Sequence, residues 1–411
     1  MSVQITDVFM AAVRSDADWP LLFPAAAFEA DGETVLHEWP GSGGPVPCRI
    51  LRHVRARELW ELILRATYDH AEPGVLFIDR INELNNLRYR EHISATNPCG
   101  EIPLPPYGAC DLGSLNLTRF VATPFTHEAR VEHARLQEAA AVAVRLLDNV
   151  IDASHFPLPQ QTENARGSRR IGLGITGLAD TLVMLGLSYG SDESITVAAE
   201  IMRTICHAAY RASIAIAKEK TSFPFFERDK YLQGPFIRSL PDDIQEAIAA
   251  HGIRNSHLLA VAPTGTISLL AGNVSSGLEP IFAASYERKV LTGDGTAKEF
   301  LLTDHALELW RAAKRTGAPE GFVTTAELPV TAHLAMQAAL QPYVDNSISK
   351  TINVPQAYAF DDFKRIYDLA YDQGLKGCTT FRPNPVTGAV LSDDGSGEDA
   401  PHCCALEREA D

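Results

Sequence analysis

Apolar residues fall at helical spacing from residue 3 to 15 and again from 56 to 69, the second run through Leu59, Trp60, Ile63 and Leu64 and stopping at Pro73-Gly74. Val75, Leu76, Phe77 and Ile78 then form a continuous apolar run of strand length. From Thr126 to Ile151 the pattern predicts one long Ala-rich helix, with Val131, Ala134, Leu136, Ala140, Val144, Leu147 and Val150 on a helical repeat, and Asp192 to Lys218 predicts another. Short apolar stretches, Leu258 to Val261 and Thr351 to Val354, are each followed by turn residues and more helix. Strands alternating with helices predict an α/β fold with parallel strands joined by crossovers. There is no internal repeat. Residues 1–383 read as one body and 384–411, rich in Gly, Ser, Asp and Glu, as a flexible acidic tail.

With 411 residues and 45% hydrophobic composition the chain can bury a large core. A formal net charge of −16 argues against a nucleic-acid partner, since following a phosphate backbone takes clustered Lys and Arg. A phosphorylated small molecule could still be held by helix N-termini and backbone N–H groups. The first twenty residues lack the basic segment and apolar core of a secretory signal, and no apolar run approaches the roughly 18 residues of a membrane span. Seven cysteines at irregular spacing do not make a secreted disulfide framework, so a cytoplasmic protein with reduced thiols is expected. Any cysteine that matters here should matter through its reactivity.

Asn97, Pro98, Cys99, Gly100 and Glu101 lie in a stretch that cannot be regular helix, with Pro103, Pro105 and Pro106 close behind and Cys110 following. In an extended segment the amide, thiol and carboxylate, spaced two apart, would project to one side. Such a set suits radical chemistry on a sugar: a thiyl takes a hydrogen atom, a carboxylate accepts a hydroxyl proton and an amide steadies the developing charge. On spacing alone the plainer reading leads, in which Cys99 and Cys110 are small buried hydrophobes and Glu101 a surface charge.

Ala260 to Gly272, AVAPTGTISLLAG, reads as a strand end, a tight turn and a helix start, so that Thr264, Gly265, Thr266 and Ser268 could offer N–H groups and hydroxyls to an anion. A plain capped helix fits the same residues. Gly172 to Gly177, GLGITG, matches a dinucleotide fingerprint, but Ser168-Arg169-Arg170 stands where an apolar strand should precede the glycine turn, so a nicotinamide site is rejected.

The segment ATNPCGEIPLPPYGACDLGSLNL, Ala95 to Leu117, resembles the active-site loop of the ribonucleotide reductase catalytic chain, and most closely its adenosylcobalamin-dependent class. The resemblance implies a thiyl radical on Cys99, assistance to the 3′- and 2′-hydroxyl chemistry from Asn97 and Glu101, and one member of a redox-active pair at Cys110. It implies substrate contacts along Asn97, Pro98, Cys99, Gly100 and Glu101, and phosphate binding by Pro263, Thr264, Gly265, Thr266, Ile267 and Ser268. RRIGLGITGLAD and NSISKTINV, the latter with Lys350, are also similar to reductase segments and are assigned structure rather than chemistry.

Two features favour the cobalamin class over the class fed by a separate radical subunit. The short Cys99 to Cys110 interval is one. The other is Thr379-Thr380-Phe381, where the second class carries adjacent tyrosines. The family fold is a ten-stranded α/β barrel of two five-stranded halves. The resemblance covers residues 1–383 but begins partway into the catalytic domain, so the second half of the barrel with the active-site loop is expected, and the N-terminal half is not. The implied partners are a ribonucleotide substrate, an N-terminal half or longer parent chain, and a thioredoxin-like reductant; a homodimer is compatible, and no membrane partner is expected. Cys48, Cys206 and Cys378 read as core thiols. Cys403 and Cys404 in the tail could shuttle reducing equivalents by thiol exchange, while His402 with them supplies too few ligands for zinc, so no metal is expected. An inactive nucleotide-binding remnant that modulates an intact reductase is the rival outside catalysis.

Overall fold

A computed structural model describes residues 1–28, 32–38, 44–291, 297–383 and 391–393. The strands that build the site are, in chain order, β1 (Ser2–Ile5), β2 (Gly74–Phe77), β3 (Ala95–Thr96), β4 (Pro103–Leu104), β5 (Asp111–Asn116), β6 (Ile171–Thr176), β7 (Thr351–Asn353) and β8 (Gly377–Phe381). The helices that cover them are α1 (Asp7–Ser15), α2 (Ala56–His70), α3 (His133–Ala153), α4 (Asp192–Lys220), α5 (Gly265–Leu270), α6 (Val330–Leu340) and α7 (Phe360–Asp372).

The helical run expected from residue 3 starts only at Asp7. Thr6 caps α1 by accepting the N–H of Phe9 at 3.1 Å, and the residues before it pair in parallel register with β2, Ser2 opposite Gly74 through Ile5 opposite Phe77. The helix expected from Thr126 likewise starts at His133, because Arg130–Val131 is spent on an antiparallel pair with Val121–Ala122. Both differences occur where an apolar run is too short for its period to separate strand from helix. The runs at 56–70 and 192–220 are helices as the spacing predicts, and Ser191 caps α4 through the N–H of Ser194.

One sheet has the order β1-β2-β8-β7, with β1 parallel to β2, β2 antiparallel to β8 and β8 parallel to β7. A second parallel pair joins β5 to β6, from Asp111 opposite Ile171 to Asn116 opposite Thr176. Single parallel bridges carry the series on, Leu173 to Leu259 and Val261 to Ile348. Among the described residues these strands do not close into a barrel, and β5 is hydrogen-bonded on one side only.

The larger core lies under β5 and β6, where Leu136, Ala140, Val144 and Leu147 of α3 meet Ile201, Met202 and Ile205 of α4 and Ile171, Leu173 and Ile175 of β6. Each Leu, Ile, Val or Met side chain there contributes about 1.5–3 kcal/mol by leaving water. A second core joins α1, α2 and α7 through Phe9, Trp60, Phe363 and Tyr367.

Gly172 and Gly174 of GLGITG sit inside β6, and Gly177 follows the strand in a left-handed conformation at the start of the next helix. A Cβ at Gly174 would lie 2.2 Å from the Ala260 carbonyl oxygen, and one at Gly172 would lie 2.7 Å from Leu112 Cδ2. These two let β6 lie close against its neighbours, a structural role of the kind that the resemblance of RRIGLGITGLAD to a reductase segment implies. In the tail, Leu391–Asp393 pairs antiparallel with Tyr286–Arg288; Cys403 and Cys404 lie outside the described residues.

Candidate active site

Strands β3 and β4 pair antiparallel, Ala95 opposite Leu104 and Thr96 opposite Pro103, and the loop between them carries Cys99. The Asn97 N–H donates to Ile102 O at 3.1 Å and the Gly100 N–H to Asn97 O at 3.0 Å, while the Ile102 N–H donates to Asn97 Oδ1 at 3.0 Å. Asn97 to Gly100 is therefore a hydrogen-bonded β-turn with asparagine first, proline second and glycine fourth, the residues a type I turn favours. Cys99, third, keeps a negative φ, which excludes type II, and Gly100 takes φ +82° to leave the turn.

This geometry corrects the extended-segment expectation. Cys99 is exposed at the turn, Asn97 is half-buried with its amide oxygen committed to Ile102, and Glu101 is only 2% exposed. The three side chains belong to one loop but do not line one face of a strand.

Cys110 immediately precedes β5 and lines a groove of about 970 Å³ with Leu112, Leu115, Val142, Leu146 and Val150. Burial pushes its thiol pKa well up, Asp111, Asp345 and Glu101 push the same way, and only Arg170 opposes them. Cys110 therefore holds its proton at neutral pH. Cys48, Cys206 and Cys378 are buried, and burial raises the last to about 12, in keeping with core thiols.

Thr264 starts α5 in a left-handed conformation and is buried; its hydroxyl lies 3.0 Å from Thr176 Oγ1 and accepts the Gly277 N–H at 2.8 Å. The first helical bond runs from the Ser268 N–H to Thr264 O, so the amides of Gly265, Thr266 and Ile267 precede it in the first turn. Gly265 has open space where a Cβ would stand, and Thr266 and Ile267 are exposed. Pro263 is half-buried, and Ser268 is buried with its hydroxyl 3.1 Å from Ser276 Oγ.

Ser347 joins the two candidate segments. Its N–H donates to Glu101 O at 2.9 Å, and its carbonyl accepts the Val261 N–H at 3.1 Å, two residues ahead of Pro263. Ser347 is held in turn by Asp345, whose carboxylate accepts the N–H groups of Leu258 and Leu259, both at 2.8 Å, and the Tyr210 hydroxyl at 2.8 Å. Lys376, buried beneath, donates to the Asp345 carbonyl at 2.7 Å, and burial lowers its pKa to about 7. The NSISKTINV segment is thus a girder between the cysteine turn and the threonine turn. Sequence reasoning assigns it a structural role without seeing what it joins, because Asp345 and Ser347 look like ordinary polar loop residues until their distant partners are known. At 379–381, Thr380 is buried with its hydroxyl 2.7 Å from Tyr367 Oη, so the aromatic neighbour there comes from α7.

Among the described residues no three His, Cys, Asp or Glu side chains gather as a metal site, and no helix is long and apolar enough to cross a membrane. Residues 1–381 match the family described as ribonucleotide reductase, barrel domain. The chain is 37% identical over 95% of its length to a vitamin B12-dependent ribonucleoside-diphosphate reductase of Mycobacterium tuberculosis, covering 53% of that protein. It is 36% identical over 84% of its length to the enzyme of the same description from Thermoplasma acidophilum, covering 44% of it. A ribonucleoside-diphosphate reductase large subunit of Caenorhabditis elegans is 26% identical over 95% of the chain. The chain thus spans about half the length of the curated relatives it matches. A match over nearly the whole sequence, to proteins whose names agree, identifies this chain as a member of the ribonucleotide reductase family through its barrel domain.

Proposed function

We propose that this chain carries the thiol-radical part of a ribonucleotide reductase, the second half of its barrel, with Cys99 as the radical-bearing residue. The observation that carries the reading is the Cys99 turn itself, an exposed thiol on a hydrogen-bond-closed hairpin, tied through Ser347 to the bridged segment that leads into the Thr264 turn. A reactive sulfur and the first-turn N–H groups of a helix then share one rigid support.

Adenosylcobalamin, the cofactor that the names of the similar proteins suggest, supplies a radical when bound, and the exposure of Cys99 fits delivery from outside the chain. The residues of this chain do the rest. Cys99 gives up its thiol hydrogen atom, and its sulfur then takes the ribose 3′-hydrogen. Glu101 accepts the 3′-hydroxyl proton, and Asn97, its oxygen engaged by Ile102, has its amide NH₂ to offer the sugar. The 2′-hydroxyl leaves as water with a proton, and two electrons come from Cys110 and a partner thiol, which end as a disulfide. Cys99 returns the 3′-hydrogen, and an outside dithiol of thioredoxin type resets the pair. Cys110 suits the donor role because burial keeps it protonated. The first turn of α5 holds the substrate phosphate.

The partner thiol belongs to an N-terminal half carried by a longer parent chain or made separately. In support, the free edge of β5 adjoins the groove, and Val142 and Leu146 of α3 are 70% and 61% exposed beside it, an arrangement that calls for cover. The site of action is the cytoplasm. Mixing the chain with a separately produced N-terminal half, adenosylcobalamin and a dithiol should yield deoxyribonucleotide, and Cys99→Ser should abolish it while nucleotide binding persists. Turnover by the Cys99→Ser protein would overturn the assignment, and binding without turnover by the unaltered complex would favour an inactive remnant.

A further inference from the structure

Arg170 is 2% exposed and stands one residue ahead of β6, just as Cys110 stands one residue ahead of β5. The register of the two strands, beginning with Ile171 opposite Asp111, sets Arg170 beside Cys110 across the parallel pair. Its guanidinium does not pair with the nearest carboxylate of β5. One nitrogen donates to the Pro103 carbonyl at 2.5 Å, in the strand that closes the Cys99 hairpin, and another forms an ion pair with Glu91, itself nearly buried. A planar fork holds two such partners through separate nitrogens in fixed directions, a geometry that the single nitrogen of an ammonium does not reproduce.

From these contacts we infer that Arg170 is a positioning residue, clamping the hairpin that carries Cys99 to the strand pair that begins at Cys110. The hairpin is closed within itself by a short ladder of two residues on each side, and the Ser347 N–H on Glu101 O ties it to the body. Such a ribbon is marginal alone, so a buried charge-assisted clamp decides how often it opens. The four charged groups acting on Cys110 are Arg170, which stabilises its thiolate, and Asp111, Asp345 and Glu101, which oppose it. One side chain therefore sets both the place of one sulfur and the electrostatic surroundings of the other. The inference rests on reading Cys99 and Cys110 as working thiols, but its test uses no turnover, so the two can fail separately.

Three variants of the full chain test it: Arg170→Met removes fork and charge, Arg170→Lys keeps charge without the fork, and Glu91→Gln leaves the arginine but weakens its second anchor. Amide hydrogen exchange reads the hairpin, and peptide mass spectrometry of iodoacetamide labelling against pH reads Cys110 relative to Cys99. In Arg170→Met, exchange at Asn97, Gly100 and Ile102 should rise about tenfold or more, the size expected for losing a charge-assisted hydrogen bond, with α4 unchanged. Labelling of Cys110 should shift to higher pH in that variant and stay in place in Arg170→Lys, which still loosens the hairpin. Hairpin exchange within about twofold of the wild type, or an equal rise in α4, would overturn the inference, as would an unmoved Cys110 profile. Should Arg170→Met fail to fold, unchanged hairpin exchange in both Arg170→Lys and Glu91→Gln overturns it.

Discussion

A turn that begins with asparagine, continues with proline and closes with glycine leaves its third residue little freedom, and here that residue is Cys99. The loop is legible in five letters of sequence, because proline and glycine act locally, but the closed turn stands in place of the extended segment considered from the spacing. The direction of the neighbouring side chains is not legible, since it depends on what surrounds the turn. Glu101 reads as a surface charge and is buried, and the Asn97 oxygen is consumed by the Ile102 N–H inside its own loop. Asn97 therefore has a structural task that can be separated from any contact with a sugar. Asn97→Ala should strip the Ile102 N–H of its acceptor and lower stability by about 1–3 kcal/mol in urea titration. Asn97→Asp keeps an acceptor there while removing the NH₂ donor, so it should hold most of that stability and still lose turnover in the reconstituted enzyme. If Asn97→Asp retained full turnover, the amide would have no role beyond closing the loop.

Elements with a long apolar repeat are read correctly, as α2 and α4 show, because three or more turns of helix leave no doubt about the period. The errors fall at residues 3–5 and 126–132, where strand pairing with distant segments decides the matter. In β6, Gly172 and Gly174 answer to neighbouring strands, a long-range demand that the glycine spacing by itself does not reveal. Gly174 and Gly265 therefore carry opposite expectations. Gly174→Ala would set a methyl group 2.2 Å from a backbone oxygen that cannot swing away, so a loss of about 1–3 kcal/mol or more is expected in urea or thermal unfolding. Gly265→Ala, with nothing within 4 Å of the new carbon, should leave stability unchanged or slightly raised. A drop in nucleotide affinity for Gly265→Ala alone would then report close approach of a ligand to α5. Equal affinities would argue that the phosphate is held elsewhere.

At the scale of the whole molecule, distant parts of the chain meet through buried polar groups that carry no local signature. Lys350, visible in sequence only as part of a structural motif, is fully buried, forms an ion pair with Glu279 and lies 2.8 Å from His333 Nδ1 on α6. Burial first, and the Lys350 charge second, drive the His333 pKa down to about 2. In the unfolded chain the imidazole takes up a proton as pH falls through its ordinary value near 6.5, while in the folded protein it resists until about 2. Stability is therefore highest above 6.5 and falls on acidification, by on the order of 1 kcal/mol per pH unit from this group. His257, also buried and also shifted down, adds to the slope, so removing one histidine flattens it without abolishing it. His333→Gln should thus lose less stability than the wild type between about pH 6 and 4 in urea titrations, even where it is less stable at neutral pH. Parallel losses in the two proteins would mean that the folded imidazole takes up its proton in this range, and that the contact between α6 and Lys350 yields before the rest of the molecule.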